Sequence, residues 1–358
     1  MKNVLKFFTT SIIFGFILSV NALAQTPSNI EAAEYDSVNN RWFVSCGSST
    51  LLSTSDLGES WDYFGNAQAS HGMEVMGNVL FVLYNNQIRS YDLSSGDLLG
   101  STSVAGASFL NGMGNDGVST LIISDFSSGR ILKVDASNPA DMVSITLVGN
   151  TGTTPNGVVV DESNGRAIIV NWGGNADILA VDIESGELTT LVSGTGLGNC
   201  DGIDMDALGR YYVSSWSPPR ITRFSADFTE SETVVDNGLN NPADISFDEI
   251  NNVLGVANSG SGIVTFHQFI NASVYNQNEI ENENTVELNG RYLIFNNVQT
   301  DKFRISAFAI NGKLLGETQL DLPKGSTRVA IDRLPNYFRE AAIIRVNEHS
   351  FKLGLRQF

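Results

Sequence analysis

One pattern recurs six times along this chain and restricts its fold more than any other feature. The copies begin at Glu31, His71, Asn111, Asn156, Asp201 and Ala243, so successive spacings are 40, 40, 45, 45 and 42 residues. They read "EAAEYDSVNNRWFVSC", "HGMEVMGNVLFVLYN", "NGMGNDGVSTLIISD", "NGVVVDESNGRAIIVNW", "DGIDMDALGRYYVSSW" and "ADISFDEINNVLGVAN". Each is a short alternating run, a polar turn and a more apolar run. A third run follows ("QIRSYD", "RILKVD", "DILAVD", "RITRFS", "GIVTFH"), and often a fourth such as "ELTTLV". Alternation and β-branched residues bounded by Gly, Asn and Asp predict strands, and no convincing amphipathic helix interrupts them. Four strands every forty-odd residues is the period of a propeller blade. A β-sandwich would supply many short strands without this period. The expectation is an all-β chain with a six-bladed β-propeller over residues 25–275. Too few residues precede Ile30 to supply the sixth blade's outer strand, which leaves "QFINASV" as the candidate.

The flanks read differently. Residues 1–24 combine two lysines, a short apolar core and a small-residue "ALA", the composition of a secretory signal peptide cleaved after Ala24. No later run reaches the eighteen or so apolar residues that a membrane span needs, so the mature chain is expected to be secreted or at the cell surface. Charge divides it. Residues 25–301 hold 9 Lys and Arg against 34 Asp and Glu, whereas residues 302–358 hold 10 against 5. That shift predicts two domains. The acidic part repels nucleic acid and attracts cations. The polar stretch 276–285 reads as a linker. Residues 286–358 read as a small C-terminal β-sandwich, with "RYLIF", "FRISAFAI", "KLLGETQL", "TRVAI" and "AAIIRV" as strands and "NG" at 311–312 as a hairpin turn. The two cysteines, Cys46 and Cys200, read as buried free thiols, too few for a disulfide scaffold.

Pseudo-sixfold symmetry brings equivalent inner-strand residues around one axis. Of the six first positions, Glu31, Asn111, Asn156 and Asp201 carry side-chain oxygens suited to a hard divalent cation, Ca2+ before Mg2+, Mn2+ or Zn2+. Asn or Asp before Gly also forms turns with no metal involved. Glu31, neither a turn residue nor followed by Gly, holds the same register and favours the ligand reading. His71 lies in the ring and would act as a general base near neutral pH, or simply shape the pocket. His267 reads as structural and His349 as solvated, in the hairpin "NEHSF". Trp172 and Trp216 close second strands and read as interblade packing or as a stacking surface for a sugar. Other chemistry is absent from the sequence. It has no G-x-S-x-G elbow, H-E-x-x-H or phosphate loop. "GTGLG" at 194–198 precedes no helix, and the Cys and His spacings fit no zinc site.

On these residues, positions 29–268 resemble the gluconolactonase/senescence-marker-protein (regucalcin) family of six-bladed propellers. The matching pieces are "IEAAEYD", "FLNGM", "TPNGVVVD" and "CDGIDMD". The resemblance implies a channel metal on Glu31, Asn111, Asn156 and Asp201, substrate contact by Asn111 and a general-base role for Asp201. "SHGME" around His71 is similar to the His-Gly motif of paraoxonase-type lactonases. The chain departs from the family where Ala32, Ala33 and Tyr35 replace the usual Glu-Gly-Pro continuation and Trp, and the Arg and Asn-Asp of sugar-lactone hydrolases are not evident near Asn111. "FRISAFAINGKLLGE" and "SFKLGLRQF" resemble the C-terminal sorting domain of type IX secretion, which implies the secretion machinery as a partner. The combined expectation is a secreted, metal-dependent hydrolase of a lactone or ester. The alternative is a non-catalytic propeller binding a carbohydrate or protein.

Overall fold

The computed structural model describes residues 25–269 and, beyond them, segments between 285 and 352. The expected signal peptide, most of the expected linker and the "NG" at 311–312 lie outside the described residues. The architecture is all-β: a six-bladed propeller followed by a small sandwich. Five blades are four-stranded antiparallel meanders. Blade 1 comprises β1 (Ala33–Asp36), β2 (Arg41–Val44), β3 (Leu52–Thr54) and β4 (Asp62–Tyr63). Blade 2 comprises β5 (Met73–Met76), β6 (Val79–Tyr84), β7 (Gln87–Asp92) and β8 (Leu98–Ser103). Blade 3 comprises β9 (Leu110–Asn115), β10 (Thr120–Asp125), β11 (Arg130–Asp135) and β12 (Val143–Val148). Blade 4 comprises β13 (Thr154–Asp161), β14 (Arg166–Trp172), β15 (Ile178–Asp182) and β16 (Leu188–Val192). Blade 5 comprises β17 (Gly198–Met205), β18 (Tyr211–Ser217), β19 (Pro219–Phe224) and β20 (Ser231–Val235). Blade 6 shows three strands among the described residues: β21 (Pro242–Asp248), β22 (Val253–Asn258) and β23 (Ile263–Gln268).

Consecutive blades are held together by shared apolar cores. Leu83 and Ile88 of blade 2 pack with Leu121 and Ile123 of blade 3, and Ile168 and Val170 of blade 4 pack with Tyr211 and Val213 of blade 5. Tyr212 and Ile221 then meet Leu254 and Val256 of blade 6. The last seam closes the ring directly. Ala257, Val264 and Phe266 pack on Val44 and Trp61 of blade 1, and the Trp42 ring stands edge-on to Phe266 at 5.1 Å. The segment before Ile30 adds no strand to the sixth blade. Its Gln25 N–H bonds Trp61 O at 3.4 Å, and Pro27 and Ser28 lie beside Gly262 in the β22–β23 hairpin. Of "QFINASV", Gln268 ends β23 and Phe269 packs on Tyr212 and Phe247. The remainder lies outside the described residues.

The turns between first and second strands follow one device. Asp36, Asp161, Asp206 and Asp248 each accept hydrogen bonds from the turn that follows them. Three of these also pair with the Arg that opens or precedes the second strand: Arg41, Arg166 and Arg210. Gly209 closes the blade 5 turn at φ +74°, as its sequence predicts.

In the C-terminal part, β24 (Thr285–Asn289), β25 (Tyr292–Asn297) and β28 (Gly325–Ala330) form one sheet. The other holds β26 (Asp301–Phe308), β27 (Leu314–Leu322), β29 (Ile343–Val346) and β30 (His349–Lys352). Leu293 and Phe295 of the first pack on Phe303, Ile305 and Ile344 of the second. One strand escaped the sequence reading: Thr285, assigned to the linker, begins β24. His349 opens β30 in the expected terminal hairpin. Cys46 and Cys200 are buried free thiols in separate cores.

Candidate functional site at the channel mouth

The Asn-Gly and Asp-Gly pairs are not turns. Asn111-Gly112, Asn156-Gly157 and Asp201-Gly202 lie inside β9, β13 and β17, each where the register against the second strand shifts as a β-bulge. A bulge bends the strand and re-aims a side chain. Gly112, Gly157 and Gly202 have no positive φ. They are glycines because the next blade's inner strand passes against them. A β-carbon on Gly112 would meet Asn156 O at 2.2 Å, and one on Gly157 would meet Asp201 O at 2.3 Å. The turn reading of Gly202 is thereby corrected: a β-carbon there would stand 2.7 Å from Asp244 Cα, and close approach demands glycine.

A repeated serine, missed in the sequence, fixes this geometry. Ser124 Oγ accepts from Gly112 N–H (2.8 Å) and donates to Asn156 O of the next blade (2.6 Å). Ser214 Oγ does the same between Gly202 N–H (2.7 Å) and Ala243 O (2.7 Å). Ser45 Oγ accepts from the N–H groups of Glu31 and Ala32. The visible signal was Ser at one place in "FVSC", "IISD" and "YVSSW".

Three predicted residues form a side-chain chain across blades 3 to 5. Asn111 Nδ2 donates to Asn156 Oδ1 at 2.5 Å, and Asn156 Nδ2 donates to Asp201 Oδ1 at 3.0 Å. All three are buried, Asp201 with 3% exposure. Glu31 faces Asp201 electrostatically. Burial, then the charges of Glu31 and Asp244, push the Asp201 carboxyl well above its usual range, and burial lifts Glu31 to about 7. Asp201 Oδ2 has no hydrogen-bond partner. Trp216 Nε1 is also buried without one: the indole N–H is near enough to Asp201 to lower its pKa slightly, but falls short of hydrogen-bonding geometry. Such orphans in a native fold call for an explanation. His71 is held through Nδ1 to Ser70 Oγ at 2.9 Å, and burial lowers its pKa to about 4, so it is neutral at physiological pH. Ala243 brings no donor, but its neighbour Asp244 is a partly buried carboxyl that the repeat register passes over. Burial raises its pKa well above the ordinary value, opposed by the Ile245 N–H and reinforced by Asp204 and Glu31. The Cys200 thiol, pushed up to about 12 by burial and by Asp201, is inert.

A second acidic layer lies three residues further along the inner strands. Glu34 accepts from Val75 N–H (2.9 Å), Glu74 from Asn115 Nδ2 (2.5 Å) and Asp204 from Phe247 N–H (2.5 Å), each reaching a neighbouring blade. Burial raises all three, Asp204 to about 7, and repulsion among acids adds to the effect on Glu34 and Glu74. Among the described residues, no three His, Cys, Asp or Glu side chains converge closely enough to share an ion. The expected cation set is of another kind, with two of its four donors from amides. His267, bonded to Thr265 Oγ1 at 2.9 Å on β23, stands far from this site in sequence register and has a structural partner. A depression of about 240 Å³ lined by Asn164, Arg166, Asp182 and Glu187 lies by the β13–β14 turn, and its Arg166 is already paired with Asp161.

The sequence matches no known family profile and no curated protein. Its fold is shared with solved propeller proteins. An auxiliary nutrient binding protein from Bacteroides ovatus is 12% identical at a TM-score of 0.53, covering 67% of this chain and 69% of its own. A Bacteroides thetaiotaomicron protein of unknown function is 10% identical at 0.54, covering 67% and 70%. Virginiamycin B lyase from Staphylococcus aureus is 13% identical at 0.49, covering 76% and 94%. At these identities the likeness is one of fold.

Proposed function

We propose that the channel mouth is a cation-assisted site and that the protein is a secreted hydrolase of the lactone or ester type. The observation that carries this reading is Asp201 Oδ2, a buried carboxylate oxygen without a hydrogen-bond partner, on a group that the charge of Glu31 pushes further toward its protonated form. Two acids sharing a buried site need a proton or a cation between them. Glu31 and Asp201, with the amide oxygens of Asn111 and Asn156, are an all-oxygen set that suits Ca2+. A divalent cation there would supply Lewis-acid polarisation of a carbonyl and a more acidic water. Asn111 would orient the substrate. Asp201, or the neutral His71, would take the proton from water. Export rests on residues 1–24, and delivery by type IX secretion rests on the C-terminal resemblance. Among the described residues, no helix is long and apolar enough to cross a membrane.

The test is equilibrium dialysis against Ca2+ together with hydrolysis of a lactone panel, on wild type, Glu31→Gln and Asp201→Asn. One bound Ca2+ and turnover in wild type, both lost in the variants, are expected. No stoichiometric cation in wild type at millimolar Ca2+ would sink the site. A second reading is a non-catalytic binder of a carbohydrate or protein. It is favoured by the half-open aromatic side chains around the mouth and is in keeping with the structural neighbour described as nutrient-binding. Cation binding without turnover selects it.

A further inference from the structure

Cations are scarce in the propeller, and one of them stands apart. Residues 25–269 hold eight lysines and arginines. Six pair with a carboxylate. Arg89 is held by the amide oxygens of Gln68 and Gln87. Among the described residues, Arg220 alone of the eight makes no hydrogen bond and no ion pair. Over residues 25–301, acids outnumber bases by 34 to 9. A shortage of carboxylates does not explain its isolation.

Arg220 is nonetheless firmly seated. It is the second residue of β19, just past a hairpin that holds Ser217, Pro218 and Pro219. Ser215 Oγ donates to Pro218 O at 2.8 Å, and Pro219 pairs with Trp216 at the channel mouth. Two prolines fix φ, and the hydroxyl closes the turn, so the support is stiff. Cys200, Ser215 and Arg220 lie in register across β17, β18 and β19 and share one face of blade 5. On that face Cys200 packs with Ile168 and Val170 of blade 4. The Arg220 side chain is therefore turned to the seam of blades 4 and 5, and its charge is felt at the Cys200 thiol. Nε is enclosed without a partner, whereas Nη1 and Nη2 are not enclosed and meet no protein acceptor. An enclosed, unpaired N–H costs stability. The fold holds the stem of this side chain and leaves its fork open.

We propose that the Arg220 fork is an oxyanion site at the mouth end of the blade 4–5 seam, taking a carboxylate, sulfate or phosphate group of a ligand end-on through Nη1 and Nη2. A planar fork matches two oxygens of such a group at once. Nε takes no part, because it is enclosed. A chloride ion offers one centre where the fork offers two donors, and a neutral ligand brings no charge to meet it. The site stands on Arg220 and on neither the cation nor the hydrolysis.

The experiment uses the mature chain in EDTA at low ionic strength. Calorimetric titrations with succinate, sulfate and inorganic phosphate separate the three oxyanions, with chloride and uncharged dimethyl succinate as controls. Saturable binding of at least one oxyanion at millimolar concentration is expected, weakening as salt is raised. Arg220→Gln should weaken it by about tenfold or more. Arg220→Lys, which keeps the charge and loses the fork, should show an intermediate loss. Arg223→Gln, on the same strand with its fork engaged by Glu232, should leave binding unchanged. The Tm of Arg220→Gln should equal or exceed that of wild type, because no native bond is lost. A second measurement needs no variant. Phenylglyoxal labelling mapped by mass spectrometry should modify Arg220 ahead of the paired Arg41, Arg130, Arg166 and Arg210, and the bound oxyanion should protect it. The proposal is overturned if no oxyanion binds more tightly than chloride, if Arg220→Gln keeps wild-type affinity or melts clearly lower, or if Arg220 reacts no faster than the paired arginines.

Discussion

At the scale of single residues, the site is built from groups the fold holds against their own preference. Asp201 is buried beside another acid with one oxygen unpaired, so its charge costs stability unless something is bound. Asp201→Asn keeps the shape and removes the charge. In EDTA at pH 8, calorimetry should find this variant as stable as wild type or a few degrees higher in Tm, while dialysis finds its Ca2+ lost. A clear fall in Tm would mean that the carboxylate is structurally paired after all. Ser214 carries the opposite role. Removing its hydroxyl leaves Gly202 N–H and Ala243 O buried without partners, so Ser214→Ala should lose about 1–3 kcal/mol in urea unfolding. The same change at an exposed serine should be nearly silent.

At the scale of the strand, the bulged inner strand is the device that makes a site out of a repeat. Its glycine is required by space. Gly157→Ala drives a methyl group against Asp201 O of the next blade. The expected loss is about 3 kcal/mol or more, with a weakened channel site. Gly117 has φ +73° and nothing within 4 Å of an added β-carbon. Gly117→Ala should therefore cost only about 1 kcal/mol, from backbone conformation alone. Equal losses in thermal melts of the two variants would contradict the steric account. The strand pattern itself was legible, because alternation and turn residues are local. The bulge was not, because "NG" in a hairpin and "NG" in a bulge have the same composition. What separates them is the adjacent blade, which no local window contains.

At the scale of the whole molecule, the channel gathers acids that are distant in sequence. Glu34, Glu74 and Asp204 bond to backbone N–H groups and an amide rather than to cations. Their folded pKa values are raised, chiefly by burial, with Asp204 at about 7. The folded state then binds more protons than the unfolded one, and stability falls as pH rises. His71 and His267, both lowered by burial, act in the opposite sense, but only below the ordinary histidine range near 6.5. Between pH 6.5 and pH 8, the acids therefore act alone. Tm in EDTA should drop by several degrees over that interval. Glu74→Gln, which can still accept from Asn115, should flatten the slope. A Tm constant from pH 6.5 to 8 would refute the buried-acid account.

The sequence by itself determined the all-β class, the blade count and which residues share a repeat position, because period and alternation are properties of a line of residues. It also distinguished Asn111, Asn156 and Asp201, which the fold joins into one hydrogen-bonded chain. Only the tertiary structure decided how the ring shuts, through Trp42 and Phe266 across the seam of the first and sixth blades. It alone placed Asp244 rather than Ala243 as the acid of the sixth blade, and it alone aligned Trp172 with Trp216. Those relations depend on how neighbouring sheets twist past one another. Burial and unpaired atoms exist only once the sheets have met.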